Sequence, residues 1–139
     1  MDEAELREFR LADFDAVIRF WGSVGLKPSR SDTKARIAHK LERDPELFLL
    51  AISQSEIVGS VMGSYDGRRG WMNRLAVAPA WRGRGLARRL AEEVERRLVR
   101  IGCDKMNLLI EADNAAVGSL YEKMGYERVP LIFMEKWLA

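Results

Sequence analysis

One cysteine, one histidine and four prolines are all that this 139-residue chain holds of those types. The single thiol, Cys103, excludes an internal disulfide, and the lone His39 leaves no Cys/His spacing for a structural zinc, so a reducing compartment and no metal are expected. An excess of either charge is missing too: 23 Lys and Arg stand against 21 Asp and Glu, a formal net charge of +2. That balance argues against a general nucleic-acid binder or an electrostatic membrane anchor, so neither nucleic acid nor membrane is expected as a partner. No apolar run approaches the roughly 18 residues a membrane span needs. The acidic start MDEAELREFR lacks the apolar core of a signal peptide, which points to a cytoplasmic protein.

What is present is 47% hydrophobic and 32% charged sequence, enough for one domain spanning 1–139 with a buried core. Leu6 and Phe9 alternate with charge as in a strand. Asp13 is placed to cap a helix carrying Phe14, Val17, Ile18 and Trp21 and ending near Gly22 to Gly25. Ser31 or Asp32 can cap a second helix with Ile37 and Leu41 on one face, ending before Pro45. ELFLLAIS, IVGSVMGSYD and WMNRLAVA read as three strands of a meander joined by polar turns. From Leu86 the residues Leu90, Val94, Leu98 and Ile101 recur at helical intervals, and Gly102 closes the pattern. KMNLLIEA reads as a short buried strand, DNAAVGSLYEKMGY as a helix begun by Asp113 or Asn114 and stopped by Gly125, and ERVPLIFMEKWL as a terminal strand or strand pair. The order predicts an α/β fold with a mixed central sheet flanked by about four helices, antiparallel in the middle and parallel across the long helix.

Between LAVAPA and that long helix lies WRGRGLARRL. A strand ending at Val77, a short loop and a helix start near Arg84 or Gly85 present unpaired backbone N–H groups at the positive end of a helix dipole, which makes an anion site. Gly83 and Gly85 let a ligand approach the backbone, and the arginines add charge. A tight strand-to-helix turn with solvated arginines accounts for the same residues. Neither G-x-x-x-x-G-K-[ST] nor the three-glycine dinucleotide fingerprint is present, since Arg88 stands where the latter needs glycine.

The stretch Arg82, Gly83, Arg84, Gly85, Leu86, Ala87 matches [QR]-x-x-G-x-[GA], LAVAP matches the strand before it, and Asn114 is followed seven residues later by Tyr121. In these three motifs, taken in order, the chain resembles the GNAT superfamily of N-acetyltransferases over nearly its whole length. Its FW pair, VMGSYDGRRG and RGRGLARRL resemble the short single-domain bacterial members of the YpeA-like group.

The resemblance implies the GNAT acyl-CoA N-acyltransferase fold and transfer of the acetyl group of acetyl-CoA to a primary amine by direct attack. It implies that acetyl-CoA lies where two parallel strands, one near 72–77 and one near 105–111, splay apart. Backbone of Leu75, Ala76 and Val77 would then pair with the pantetheine arm, N–H groups from Gly83 through Arg88 would hold the pyrophosphate, and Asn114 would reach the arm. Tyr121 matches the family's general acid; a phenol of pKa roughly 10 suits protonation of a thiolate. A buried helix tyrosine is the competing account of it. Glu111 and Asp66 are the carboxylates for the base role, directly or through water, each also readable as a strand-end or Asp-Gly turn residue. Relatives with a mid-strand glutamate differ here, where Leu108, Leu109 and Ile110 stand. Cys103 is read as structural, since the chemistry needs no nucleophile.

The first two helices and their loop form the acceptor wall in such proteins. That singles out Trp21, Lys27, Arg30 and Asp32, joined by Tyr65, with core packing and surface charge as the plainer accounts. Arg30, Arg68 and Arg69 would favour an acceptor bearing a carboxylate. The acceptor class is thus a small-molecule amine, an amino acid or a peptide, and the oligomeric state, monomer or homodimer, stays open. Two other functions compete: an acyl-CoA sensor of the same fold without transfer activity, and a nucleic-acid-binding domain, which the near-neutral charge opposes.

Overall fold

A computed structural model describes residues 3–110 and 117–139 of the chain. The chain divides into two compact units, Met1–Leu109 and Ile110–Ala139. The first unit holds β1 (Glu5–Glu8), α1 (Phe14–Ser23), α2 (Lys34–Arg43), β2 (Phe48–Ser53), β3 (Glu56–Tyr65), β4 (Gly70–Val77), α3 (Leu86–Arg100) and β5 (Met106–Leu108); the second holds α4 (Val117–Lys123). The strands form one mixed sheet in the order β1-β2-β3-β4-β5. Every pairing is antiparallel except β4 with β5, which is parallel across α3 as the sequence predicts.

The polar QSE turn closes the β2–β3 hairpin with Gln54 at φ 50 and Ser55 at φ 67. Two consecutive left-handed residues are what a two-residue type I′ turn requires. The helix starts depart from expectation in their chemistry. Asp13 does occupy the N-cap of α1, but no capping bond forms from its side chain. Its carboxylate instead accepts from Arg10 N–H at 2.8 Å and from both Arg7 guanidinium nitrogens at 2.8 and 2.9 Å. The Arg7 hydrogen bond holds that carboxyl below its usual range. Thr33, rather than Ser31 or Asp32, caps α2 by accepting from Arg36 N–H, because the Asp32 carboxylate is taken by Ser29 N–H and Arg74.

One face of the sheet packs α1 and α2 over a cluster of Phe9, Val17, Phe20, Trp21, Ile37, Phe48, Leu50 and Met62, with Phe9 and Phe48 stacked at 4.2 Å. The other face receives α3, whose Leu90, Val94 and Leu98 are buried against the sheet. Three glycines make that approach: a Cβ added at Gly59 would stand 3.0 Å from Leu90 Cδ1, at Gly63 2.7 Å from Val94 Cγ1, and at Gly70 2.9 Å from Leu98 Cδ1. Overpacking of a close-packed interior costs about 1–3 kcal/mol, so Gly63→Ala is expected to lower the urea midpoint by a loss of that size. A midpoint equal to wild type would show that α3 can lift away at no cost.

The terminal strand expected in ERVPLIFMEKWL does not form; no helix or strand is present among the described residues after Lys123. Pro130 supplies the reason. It has no N–H for a ladder, and Leu131 N–H closes onto Val129 C=O at 2.9 Å around it, the three-residue bend of a γ-turn. The preceding strand is also shorter than KMNLLIEA suggested, ending at Leu108.

Candidate functional site

Pairing between β4 and β5 covers only Gly70, Trp71 and Met72 against Met106, Asn107 and Leu108. Beyond Met72 the β5-side edge of β4 has no ladder partner among the described residues. At the same place the β3–β4 register slips between Ser60 and Met62, and Arg74 takes a left-handed φ of 55, the signature of a β-bulge. Past the bulge, Ala78 N–H donates to Val58 C=O. Because backbone groups alternate sides along a strand, those of Ala76 face β3 and those of Leu75 and Val77 face the open edge. Of the three residues assigned to the pantetheine arm, Leu75 and Val77 therefore present free-edge backbone, whereas Ala76 lies opposite Ser60.

β4 then runs through a 3-10 turn, Pro79–Trp81, into the glycine loop. Gly83 and Gly85 have φ of 77 and 78, and a Cβ at either would meet nothing within 4 Å. The glycines thus serve the backbone path and leave open space beside it, where packing would have filled it. Gly85 is the N-cap of α3 and brings no side chain to satisfy the helix start. Arg82 N–H donates to Pro79 C=O at 3.3 Å, and the next loop or helix N–H with a backbone acceptor is that of Arg89, on Gly85 C=O, which leaves those of Leu86, Ala87 and Arg88 at the helix end as donors for an anion.

The arginines of the loop are engaged around this cradle. Arg82 Nε donates to Val77 C=O at 3.3 Å, Arg84 lies 4.7 Å over the Trp81 ring, Arg88 pairs with Glu92 at 3.5 Å, and Arg89 donates to Ala4 C=O. The arrangement is a backbone nest edged by positive charge.

Tyr121 lies on α4 in the second unit, buried and edge-on to Tyr126 at 5.4 Å; burial pushes its phenol well above the ordinary range. Glu111 and Asn114 lie outside the described residues. Asp66 sits in the β3–β4 hairpin, where its Oδ1 accepts Arg68 N–H at 2.8 Å and Arg69 N–H at 2.7 Å. Those bonds, that of Arg69 foremost, hold its carboxyl low, and the hairpin precedes β4 while the open edge begins past Met72. It is thus engaged as a turn residue of the hairpin. The candidacy of Trp21 for the acceptor wall is corrected, since none of its surface is exposed and its Nε1 is spent on Ser60 Oγ at 2.9 Å. Tyr65 Oη donates to Gly67 C=O within the same hairpin, and Arg69 reaches Asp104 at 3.7 Å. Arg30 is exposed in the α1–α2 loop. Cys103 is buried, close to Gly70.

Sequence reasoning missed Trp71, Asn73 and Arg74. Trp71 is opposite Ser64 and Asn73 opposite Met62; Ser64 meets Lys40 of α2 and Met62 belongs to the α1–α2 core. Both β4 residues therefore share the α1–α2 face, yet both are exposed there, beside the open edge. An exposed tryptophan on a strand face was the available signal. Among the described residues no group of three His, Cys, Asp or Glu is placed to hold a metal, and no helix is long and apolar enough to cross a membrane.

The β4–β5 ladder that ends at Met72, the bulge that follows it and the uncapped helix start of α3 form the candidate site. The sequence profile of the acetyltransferase (GNAT) family matches residues 6–126, and the chain belongs to that family and is an acetyltransferase. It is 46% identical over 134 residues to an acetyltransferase of Pectobacterium atrosepticum, covering 96% of this chain and 95% of that one. Its fold is similar to that of Ard1 from Thermoplasma volcanium, with a TM-score of 0.76 at 23% identity over 89% of this chain and 82% of the other. It is also similar to that of the PaiA N-acetyltransferase from Thermoplasma acidophilum in complex with coenzyme A, with a TM-score of 0.73 at 18% identity over 91% of each.

Proposed function

We propose that residues 1–139 act as one catalytic domain that transfers the acetyl group of acetyl-CoA to the primary amine of a small molecule, an amino acid or a peptide, in the cytoplasm. The observation that carries the proposal is the juxtaposition, in chain order, of an unladdered β4 edge and an uncapped helix start reached through two left-handed glycines. Acetyl-CoA fits these residues. Its diphosphate matches the N–H groups between Gly83 and Arg88, and its amide-bearing arm matches the backbone donor and acceptor of Leu75 and the N–H of Val77.

When bound, acetyl-CoA supplies the activated thioester and a thiolate leaving group. The N–H groups at the head of α3 hold the diphosphate, and the guanidinium groups of Arg84 and Arg88 add long-range attraction without leaving their partners. Leu75 N–H, aimed at the open edge, polarises the acetyl carbonyl. Asn114 steadies the arm, Tyr121 gives its phenolic proton to the departing sulfur, and Glu111, through water, receives the proton that the amine loses. Trp71 and Asn73 form the floor on which the acceptor lies.

Replacing Gly85 with valine puts a β-branched residue at φ 78, which L residues avoid. The N–H groups that follow are then reoriented, and acetyl-CoA affinity by calorimetry is expected to fall at least about tenfold, as loss of roughly 1.4 kcal/mol gives. Unchanged affinity in a variant that still melts cooperatively would remove the turn from the site. Thiol release from acetyl-CoA over a panel of amines, amino acids and peptides then identifies the acceptor.

A further inference from the structure

Arg74 is the only non-glycine residue of β4 in the left-handed region, at φ 55, a conformation that costs an L residue energy unless its surroundings hold it. Three contacts close a ring around it. Ser60, fully buried in β3, donates from Oγ to Arg74 C=O at 2.8 Å. Trp21 Nε1 of α1 donates to the same Oγ at 2.9 Å. The Arg74 guanidinium then covers the Trp21 ring, Cζ standing 4.8 Å from its centroid.

The same guanidinium reaches out of the strand. Nη2 donates to Asp32 Oδ2 at 2.5 Å and to Lys27 C=O at 3.1 Å, and only 17% of the Arg74 side chain and 9% of the Asp32 side chain remain exposed. Asp32 Oδ2 also accepts Ser29 N–H at 2.8 Å, so one carboxylate both folds the α1–α2 loop and anchors it. One arginine thus fixes the bulge through its backbone and the loop through its side chain.

We propose that Arg74 is a positioning residue that keeps the loop of residues 27–32 in register with the β4 bulge, so that the wall facing the acceptor and the backbone facing the thioester move as one body. This rests on the assignment of the β4 edge as the reaction cleft. A planar guanidinium meets carboxylate, carbonyl and indole face together, which lysine cannot do. The tether spans elements more than forty residues apart in sequence, as the Arg74–Asp32 separation of 42 states.

The test is hydrogen–deuterium exchange of the full chain for wild type, Arg74→Met, Arg74→Lys and the Gly63→Ala control on the opposite sheet face. Exchange in residues 27–32 and in residues 73–77 is expected to rise together in Arg74→Met, by about tenfold or more, because both segments lose one shared restraint. Arg74→Lys, which keeps a cation for Asp32, is expected to return part of the protection in both. Gly63→Ala, destabilised by packing alone, is expected to leave the two segments at their wild-type ratio to the rest of the sheet. Unchanged exchange in either segment of Arg74→Met overturns the tether, as does no recovery with lysine, or an equal response in the control. Calorimetry of wild type with coenzyme A is run beside it. A wild-type chain that fails to bind coenzyme A overturns the cleft assignment, and the exchange data still decide the tether.

Discussion

Lys40→Met is expected to cost the fold about 3–5 kcal/mol, the loss typical of a buried ion pair stripped of one partner. Lys40 of α2 donates from Nζ to Asp44 Oδ2 at 2.6 Å, to Ser64 Oγ at 2.8 Å and to Gly63 C=O. The two charged side chains are 15% and 7% exposed. Burial pushes the ammonium below its ordinary range, against the upward pull of Asp44. A lysine whose folded pKa is depressed binds its proton less readily in the native state, so at neutral pH its own ionisation opposes folding, and stability rises with pH only through the alkaline window between its folded and unfolded values. The damage in the variant therefore comes from what is left behind: a buried Asp44 carboxylate with no cation, beside a β3 carbonyl and a hydroxyl without their donor. Removing both charges, in Lys40→Met with Asp44→Leu, is expected to restore most of the loss. Urea midpoints decide it. A single variant within about 1 kcal/mol of wild type would place the pair among surface ion pairs of little weight.

The periodic parts of the fold were legible in the sequence because each buries one face. Leu86, Leu90, Val94 and Leu98 are all buried, and the four-residue spacing that predicted α3 is the spacing at which they meet the sheet glycines. Glycine gave no such forecast: at Gly59, Gly63 and Gly70 the missing side chain matters for what α3 brings within 3 Å, and a partner from distant sequence leaves no local trace. The caps were half legible for the same reason: Asp13 does stand at the N-cap of α1 but makes no capping bond, and Thr33 takes the place expected of Ser31 or Asp32. Asp13 and Asp32 have the chemistry of an N-cap, but Arg7 and Arg74 compete for them with charge-assisted bonds, stronger than a bond to a neutral N–H. In the terminal segment apolar composition spoke for a strand, and a single proline with its γ-turn decided otherwise.

Within the candidate site, the glycine loop was legible because its signal is local: two glycines, a strand before and a helix after. Of its arginines, Arg82, Arg84 and Arg88 have partners close by in sequence, Val77, Trp81 and Glu92, whereas the partner of Arg89, Ala4 C=O, lies 85 residues away and leaves no local trace. Trp21 illustrates the opposite error. An aromatic near an expected wall suggested contact with an acceptor, whereas its stacking on Phe48 and its bond to Ser60 make it the support on which Arg74 rests. Arg74 itself carries no sequence mark at all. Nothing in NRLAV announces a left-handed residue in mid-strand; the bulge arises because β3 and β4 differ by one residue in register.

Tyr121→Phe is expected to lower turnover by about 10²- to 10⁴-fold, the span attributed to a positioned general acid, while leaving acetyl-CoA affinity and melting temperature nearly unchanged. The substitution deletes one oxygen and keeps the ring that packs edge-on against Tyr126, so α4 retains its apolar contacts. The loss falls on turnover because a proton donor acts chiefly in the transition state. Burial raises the phenol, and the direction decides the pH behaviour: a donor with a raised pKa stays protonated through the neutral and mildly alkaline range, so no alkaline loss of activity from this group is expected near its ordinary value of about 10. The amine acceptor, by contrast, must shed its proton, so wild-type activity is expected to climb with pH until the acceptor is neutral and then hold. In Tyr121→Phe the climb should persist at the lower rate, since the acceptor titrates as before. The decisive measurements are single-turnover acetyl transfer against pH for both proteins, with calorimetric acetyl-CoA binding alongside. Equal single-turnover rates would leave Tyr121 as a buried ring of α4 and pass protonation of the thiolate to water.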